Sequence, residues 1–322
     1  MGSFLKITSQ EAGKNIKTLE KGRVASTQKS NRFKFNFHNQ NEEIINLSNN
    51  WKELANKYPE LKASAFLISL ENYRFAQFNP DKVLPSASTI KIPILLLALE
   101  MIDNGELLLN EQIKLEKELI GGGAGWIAYE SIGSYFPIYE LANEMIRISD
   151  NTATNLLINR LGGINRINKR LKEIGLKSTQ INNLLPDLKG TNTTSAKDLA
   201  YSIALVDSGN FLSVKTRDLF REILSTSKSN NLLPKGFLNG LDKDYRNIDY
   251  QLLIEGYRIY NKTGDIGITY ADTGLIQMPD NTRAVVGLIV KGPFNDPRSA
   301  DLIREMAKAI VPVIKPQPAL KL

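Results

Sequence analysis

At 322 residues the chain has room for one large domain or two ordinary ones, since domains run to about 100–200 residues each. Its 42% hydrophobic and 23% charged residues are globular usage, and the longest apolar run, 92–99, falls well short of the ~20 residues that cross a bilayer. There is no cysteine and a single histidine, His38, which excludes thiol nucleophiles, disulfides and cysteine metal sites and argues against a histidine zinc site.

The formal charge of +7 is concentrated in residues 1–40, which carry eight Lys or Arg against two Glu; the remainder is nearly neutral. A neutral body disfavours nucleic acid as a partner. Residues 1–44 hold no sustained hydrophobic period and read as a basic, poorly ordered arm or linker. It is either a solvated extension or a contact for an anionic polymer or membrane surface. No secretory signal is assembled there.

A folded pattern begins at Glu43. Ile45, Leu47, Trp51, Leu54 and Ala55 predict a helix, 63–70 is an apolar strand-like run, and 73–78 alternates after the Glu71-Asn72 turn, which predicts a hairpin. Residues 85–102 are apolar on nearly every face after Lys91, the pattern of a buried helix, and Pro93 requires its first turn to be irregular or kinked. Helices are expected over 138–147, 152–161, 164–174, 195–206 and 216–224. Strands return over 257–261, 271–278 and 284–290, and 298–311 reads as a closing helix. Strands at both ends around a helical middle predict an α+β fold. A helical lobe, about 88–239, is inserted into a sheet lobe, about 45–87 and 240–315, within a folded domain of residues 45–322.

With His38 in the arm, a Ser-His-Asp triad has no base, and lysine is the acceptor left to a serine hydrolase. A Ser-x-x-Lys spacing at a helix start sets hydroxyl and amine one turn apart on one face. Free lysine titrates near ~10.4, so such a base needs desolvation or a neighbouring cation. The spacing occurs four times, at Ser3/Lys6, Ser26/Lys29, Ser88/Lys91 and Ser225/Lys228, and only Ser88/Lys91 opens a buried helix. Taken alone, that pair reads equally as a helix-capping serine with a snorkelling lysine. Ser149-Asp150-Asn151 follows 61 residues later, between two helical patterns, and Lys262-Thr263-Gly264 a further 113 on, at the end of a strand; each triplet occurs once.

In that order the three motifs are the signature of class A β-lactamases and penicillin-binding proteins. From about Glu43 to Val313 the chain resembles the penicillin-recognising serine hydrolases of class A β-lactamase fold, and SDNTATNLLINRLGG over 149–163 and NTTSAKDLA over 192–200 add to the likeness. The resemblance implies an antiparallel sheet with packed helices plus an all-helical lobe, and no metal or organic cofactor. It implies that Ser88 is the acylated nucleophile, that Lys91 takes its proton, and that Ser149 bridges Lys91 and Lys262 and protonates the leaving nitrogen. Asn151 would bond the substrate's side-chain amide, Lys262 and Thr263 would receive its carboxylate, and Gly264 would let the strand lie close to the ligand. Backbone N–H groups of Ser88 and Asp265 would form the oxyanion hole. Asp150 reads as a loop cap. The glycine-rich stretch 121–125 lacks the Lys-Ser/Thr of a P-loop and is either a flexible rim over the site or a structural turn.

Two departures stand out. The β-lactamases activate their deacylating water with a Glu on the loop before the Asn-Thr-Thr segment, whereas residues 175–191 contain no Glu. Laying Leu184-Leu185-Pro186-Asp187-Leu188 on that loop puts Leu185 at the carboxylate's place and leaves Asp187 as the one candidate substitute. Ala271 stands where the family has an arginine near the carboxylate pocket, with Arg258 a candidate replacement. The pattern implies a D,D-peptidase, of carboxypeptidase or transpeptidase type, acting on D-Ala-D-Ala peptides of peptidoglycan. It would be acylated by β-lactam antibiotics, slow to deacylate, and periplasmic or otherwise extracytoplasmic. The alternatives are a β-lactamase that uses Asp187 and a non-catalytic wall-binding module in which Ser88 only binds ligand.

Overall fold

The computed structural model describes residues 42–242 and 246–314. His38, the Ser3/Lys6 and Ser26/Lys29 pairs and most of the basic arm lie outside the described residues. Residues 42–44 belong to the fold rather than to the arm. The Ile44 N–H bonds Phe75 O at 2.6 Å, the Phe75 N–H bonds Glu42 O at 3.2 Å, and Ile44 is buried.

Helix α1 (Ile45–Asn56) buries the face carrying Leu47, Trp51 and Ala55, and the Trp51 indole N–H is spent on Met306 O at 2.9 Å. The hairpin β1 (Lys62–Ser69) and β2 (Phe75–Phe78) leads through the short β3 (Leu84–Pro85) into a 3-10 turn, Ala87–Ile90, and helix α2 (Lys91–Asp103). The tight turn is the irregular start that Pro93 requires, because at the third helical position its missing N–H falls where no intrahelical partner exists. The helical lobe adds β4 (Gln112–Lys114), β5 (Tyr135–Pro137), α3 (Ile138–Arg147), α4 (Asn151–Arg160), α5 (Gly163–Glu173), β6 (Thr193–Thr194), α6 (Ala196–Asp207) and α7 (Val214–Ser225). The chain then runs through α8 (Leu233–Gly240), α9 (Ile248–Ile254), β7 (Arg258–Asp265), β8 (Thr269–Gln277), β9 (Arg283–Lys291), α10 (Pro297–Lys308) and α11 (Val311–Ile314).

The large sheet is antiparallel throughout, in the order β2-β1-β9-β8-β7, so the Lys-Thr-Gly strand β7 lies at an edge. One face packs under α1, α8 and α10, where Trp51, Phe237, Ile276, Val286 and Met306 share a core. The other carries Phe66, Ile68, Leu275 and Val285 into a core shared with α2, α3 and α4. Leu232 and α8 pack in the first of these cores, so the return to the sheet lobe comes several residues before 239. Helix α8 escapes a periodicity reading because it holds Pro234, Gly236 and Gly240. Those glycines are needed where α8 touches α10: a Cβ at Gly236 would lie 2.4 Å from Arg304 O, and one at Gly240 would lie 2.7 Å from Lys308 O.

Candidate active site

The turn carrying Ser88 is tied down from both sides. Ser86, fully buried, gives both its N–H (2.8 Å) and its hydroxyl (3.1 Å) to Asn192 O, and the Thr89 hydroxyl bonds Ser86 O at 2.5 Å. Ala87 is held at φ +45°, a left-handed conformation costly for a residue with a Cβ. Between Leu84 and Leu99 every residue except Ser88 is buried, so the one accessible group in the segment is the serine.

Lys91 opens α2 with no exposed surface, although the residues that follow it are apolar. Its Nζ lies 3.4 Å from Ser88 Oγ and makes closer bonds to Ser149 O (2.7 Å), Ser149 Oγ (2.9 Å) and Asn151 Oδ1 (2.9 Å). Burial, reinforced by the charge of Lys262 and opposed by Asp150, pushes the amine well below the usual lysine range. The Ser149 carbonyl can only accept. So can Asn151 Oδ1, because the same amide gives its Nδ2 hydrogen to Gly122 O at 2.9 Å. A neutral Lys91 therefore directs its two hydrogens to these oxygens and keeps its lone pair for a hydroxyl proton.

Ser149 sits at φ +63°, which turns the chain sharply into α4. Asp150, fully buried, caps that helix through the Ala153 N–H (2.9 Å) and accepts the Trp126 and Ile127 N–H groups at 2.8 and 3.0 Å. The glycine-rich stretch is thus a structural turn clamped on the Ser-Asp-Asn loop. Gly125, at φ +95°, leaves no room for a Cβ beside Asp150, and Gly121 packs against Leu185 O, Asn155 and Asn151.

Strand β7 brings the third motif to the same place. A Cβ on Gly264 would lie 2.8 Å from Ser88 N and 2.9 Å from the Ala87 methyl, so glycine is required for the strand to lie on the turn. Lys262 is fully buried, and burial pushes its ammonium down to about 8 against the opposing pull of Asp272. Its Nζ bonds Thr263 O at 2.7 Å, and the Thr263 hydroxyl reaches Ser229 O at 3.3 Å. The exposed Asp265 uses its carboxylate on the Gly267 N–H at 2.8 Å, within its own turn. Arg258 lies at the far end of β7, exposed and paired in register with Gln277, so it does not replace the missing arginine. The Ser225/Lys228 pair is likewise apart from the site: the Ser225 hydroxyl bonds Glu222 O at the end of α7, and Lys228 is exposed.

In the loop that leads to β6, Leu185 is buried yet belongs to none of the apolar cores. Asn155 grips its backbone, accepting the Leu185 N–H at 2.8 Å and donating to Leu185 O at 2.7 Å. Asp187 spends one oxygen on the Thr191 hydroxyl (2.8 Å) and the other on the Asn192 N–H (2.6 Å), closing its own loop. Asn155, Asn192 and Asp272 were not singled out by sequence. Asn155 and Asn192 fall within the quoted stretches 149–163 and 192–200 without a role assigned to them, and the one signal for Asp272 was a charge inside a strand pattern.

A buried lysine beside an accessible serine, a second serine bonded to that lysine and a second buried lysine on an edge strand define a serine hydrolase of the class A β-lactamase fold. The family model for the β-lactamase enzyme family matches residues 46–314, and the chain belongs to that family. It is 26% identical over 291 residues to β-lactamase BRO-1 of Moraxella catarrhalis, covering 83% of this chain and 88% of that one. It is also 26% identical to a Bacillus licheniformis β-lactamase, covering 78% and 79%. Among solved structures, PBP-A superposes with TM-score 0.77 at 37% identity, covering 85% of this chain and 97% of that one. A leucine-to-glutamate mutant of PBP-A, an acyl-enzyme complex with penicillin G, matches equally well, with coverage of 84% and 97%. An ancestral class A β-lactamase shares the fold at TM-score 0.71 and 23% identity, covering 83% and 99%.

Proposed function

We propose that this chain is a penicillin-binding D,D-peptidase that cleaves D-Ala-D-Ala peptides of peptidoglycan through an acyl-enzyme at Ser88, and that it works outside the cytoplasmic membrane. The observation that carries this proposal is the Leu185 loop, on this reading the wall opposite Ser88, where Leu185 offers no proton acceptor and Asp187 is consumed by its own loop. Lys91 accepts the Ser88 proton, and Ser149 relays it to the departing nitrogen. A released D-alanine vacates the leaving-group position, so water or an amine enters there and the same groups run in reverse. The nitrogen of an opened β-lactam stays tethered and blocks that entry. Its ester could be hydrolysed only from the other wall, where no base stands, so the adduct persists. The 37% identity to PBP-A supports this reading over the 26% identity to named β-lactamases.

The names of those curated relatives favour a second reading, turnover of β-lactams themselves. Release of D-alanine from a diacyl-Lys-D-Ala-D-Ala peptide, measured beside hydrolysis of a chromogenic cephalosporin, separates the two. The peptidase reading expects the first activity with only stoichiometric reaction in the second. Sustained cephalosporin turnover without D-alanine release would reverse it.

A further inference from the structure

Asp272 lies in the middle of the apolar strand β8, fully buried, and has no part in the chemistry described so far. It pairs in register with Thr263, so its side chain shares a face with Asn261 and Thr263, while Lys262 and Gly264 face the Ser88 turn. The carboxylate is built in. Asn261 Nδ2 donates to its two oxygens at 2.9 and 3.1 Å, and the Leu233 N–H, at the start of α8, donates at 3.0 Å. Asn261 Nδ2 also reaches Ser229 O at 3.0 Å, the carbonyl that receives the Thr263 hydroxyl. These donors favour the ionised carboxylate, and a buried negative charge with no ion pair of its own calls for a compensating cation nearby.

We propose that Asp272 is the counter-charge that keeps Lys262 an ammonium, acting through the sheet as a positioning residue that sets the site's preference for carboxylate-bearing substrates. The proposal rests on reading Lys262 as the carboxylate receptor. A direct ion pair would occupy the ammonium's hydrogens. A charge on the opposite face stabilises the cation and leaves the ammonium hydrogens that Thr263 O does not take for the substrate. Burial pushes Asp272 up to about 7 and Lys262 down to about 8, and each group's charge opposes the other's shift, so at pH 8 Asp272 is mostly ionised and pulls Lys262 upward. Other charged groups stand differently. Lys91 feels the charges of both Lys262 and Asp150, Lys228 and Lys235 are exposed, and Arg304 on α10 is held by Asp301 and Asn231 O. Strand β9 opposes Asp272 with the apolar Leu288.

The test compares acylation rates by benzylpenicillin and by its carboxyl methyl ester, followed by intact mass at pH 8, in four proteins: wild type, Asp272→Asn, Lys262→Arg and the double variant. Wild type should prefer the free acid. Asp272→Asn should lose about tenfold or more of that preference, since each unit by which the lysine falls below the assay pH is tenfold in its charge ratio, with little change toward the ester. Arginine stays charged unaided, so adding Asp272→Asn to Lys262→Arg should leave its preference unaltered. An unchanged preference in Asp272→Asn, or the same loss in both backgrounds, overturns the proposal. Should Asp272→Asn fail to fold, Asn261→Ala removes donors from the carboxylate and should weaken the preference in the same direction; no change there overturns it too. If wild type forms no adduct with either compound, the reading of the site itself fails, a result distinct from all of these.

Discussion

Lys91 and Lys262 are both buried lysines, but the proposed chemistry asks opposite things of them. Lys91 must be neutral to take a proton, and burial beside Lys262 pushes it down for that purpose. Lys262 must stay charged to receive a carboxylate, and its value of about 8 leaves it mostly protonated at neutral pH. Acylation by a carboxylate substrate should therefore rise with pH as Lys91 loses its proton and fall again as pH passes about 8, where Lys262 loses its own. Lys262→Arg should move the alkaline limb upward; a limb that stays near 8 in that variant would assign it to another group. At Leu185 the expected effect is on release. Leu185→Glu puts a carboxylate on the wall that lacks one, and general-base help of ~10²–10⁴-fold sets the scale of faster penicillin release. The gain will be smaller if the Asn155-held backbone aims the carboxylate poorly. A Glu variant that clears its adduct no faster would show that Leu185 is not at the deacylation position. Ser88, Lys91, Ser149 and Asn151 were legible because the chemistry needs those residue types at short, ordered spacings. Asp272 and Asn155 were not, because their partners lie on other elements and single polar residues in apolar patterns are common.

The same division holds among the elements. Helices with a continuous apolar stripe, such as α3 and α7, could be read from periodicity, because burial of one face is what forms them, and β1 could be read from an apolar run, because it is buried on both faces. Helix α8 could not, since its shape is decided by contact with α10 rather than by propensity. Gly236→Ala, which would favour an isolated helix by about 1 kcal/mol, should instead destabilise this protein, because the added methyl meets the Arg304 backbone. A lower Tm in thermal unfolding is the expected result, and an unchanged or raised one would show that α8 is free to shift. The glycine-rich turn was legible as composition only. Its role as a clamp on Asp150 depends on contacts between residues 125 and 150 that no local pattern encodes.

In the whole molecule, Ser88 belongs to a turn between the two lobes, Ser149 to the helical lobe, and Lys262 to the edge of the sheet. Assembly of the site therefore requires both lobes, and its three ordered motifs all lie after residue 42. A chain beginning at Gln40 keeps the Glu42 and Ile44 bonds to Phe75 and sheds the basic stretch. It should react with benzylpenicillin at a rate close to that of the full chain, and lost reactivity in a folded product would give the first 39 residues a part in the site. The central claim is that Ser88 forms an ester which the opposite wall cannot hydrolyse. Its most direct measurement is the lifetime of the benzylpenicillin adduct by time-resolved intact mass, with peptide mapping of the modified residue and Ser88→Ala as the blank. The account predicts one equivalent of penicillin at Ser88, persisting long after free drug is removed, and none in Ser88→Ala. An adduct at another serine, or one that clears within about a second while penicillin is continuously hydrolysed, would contradict it.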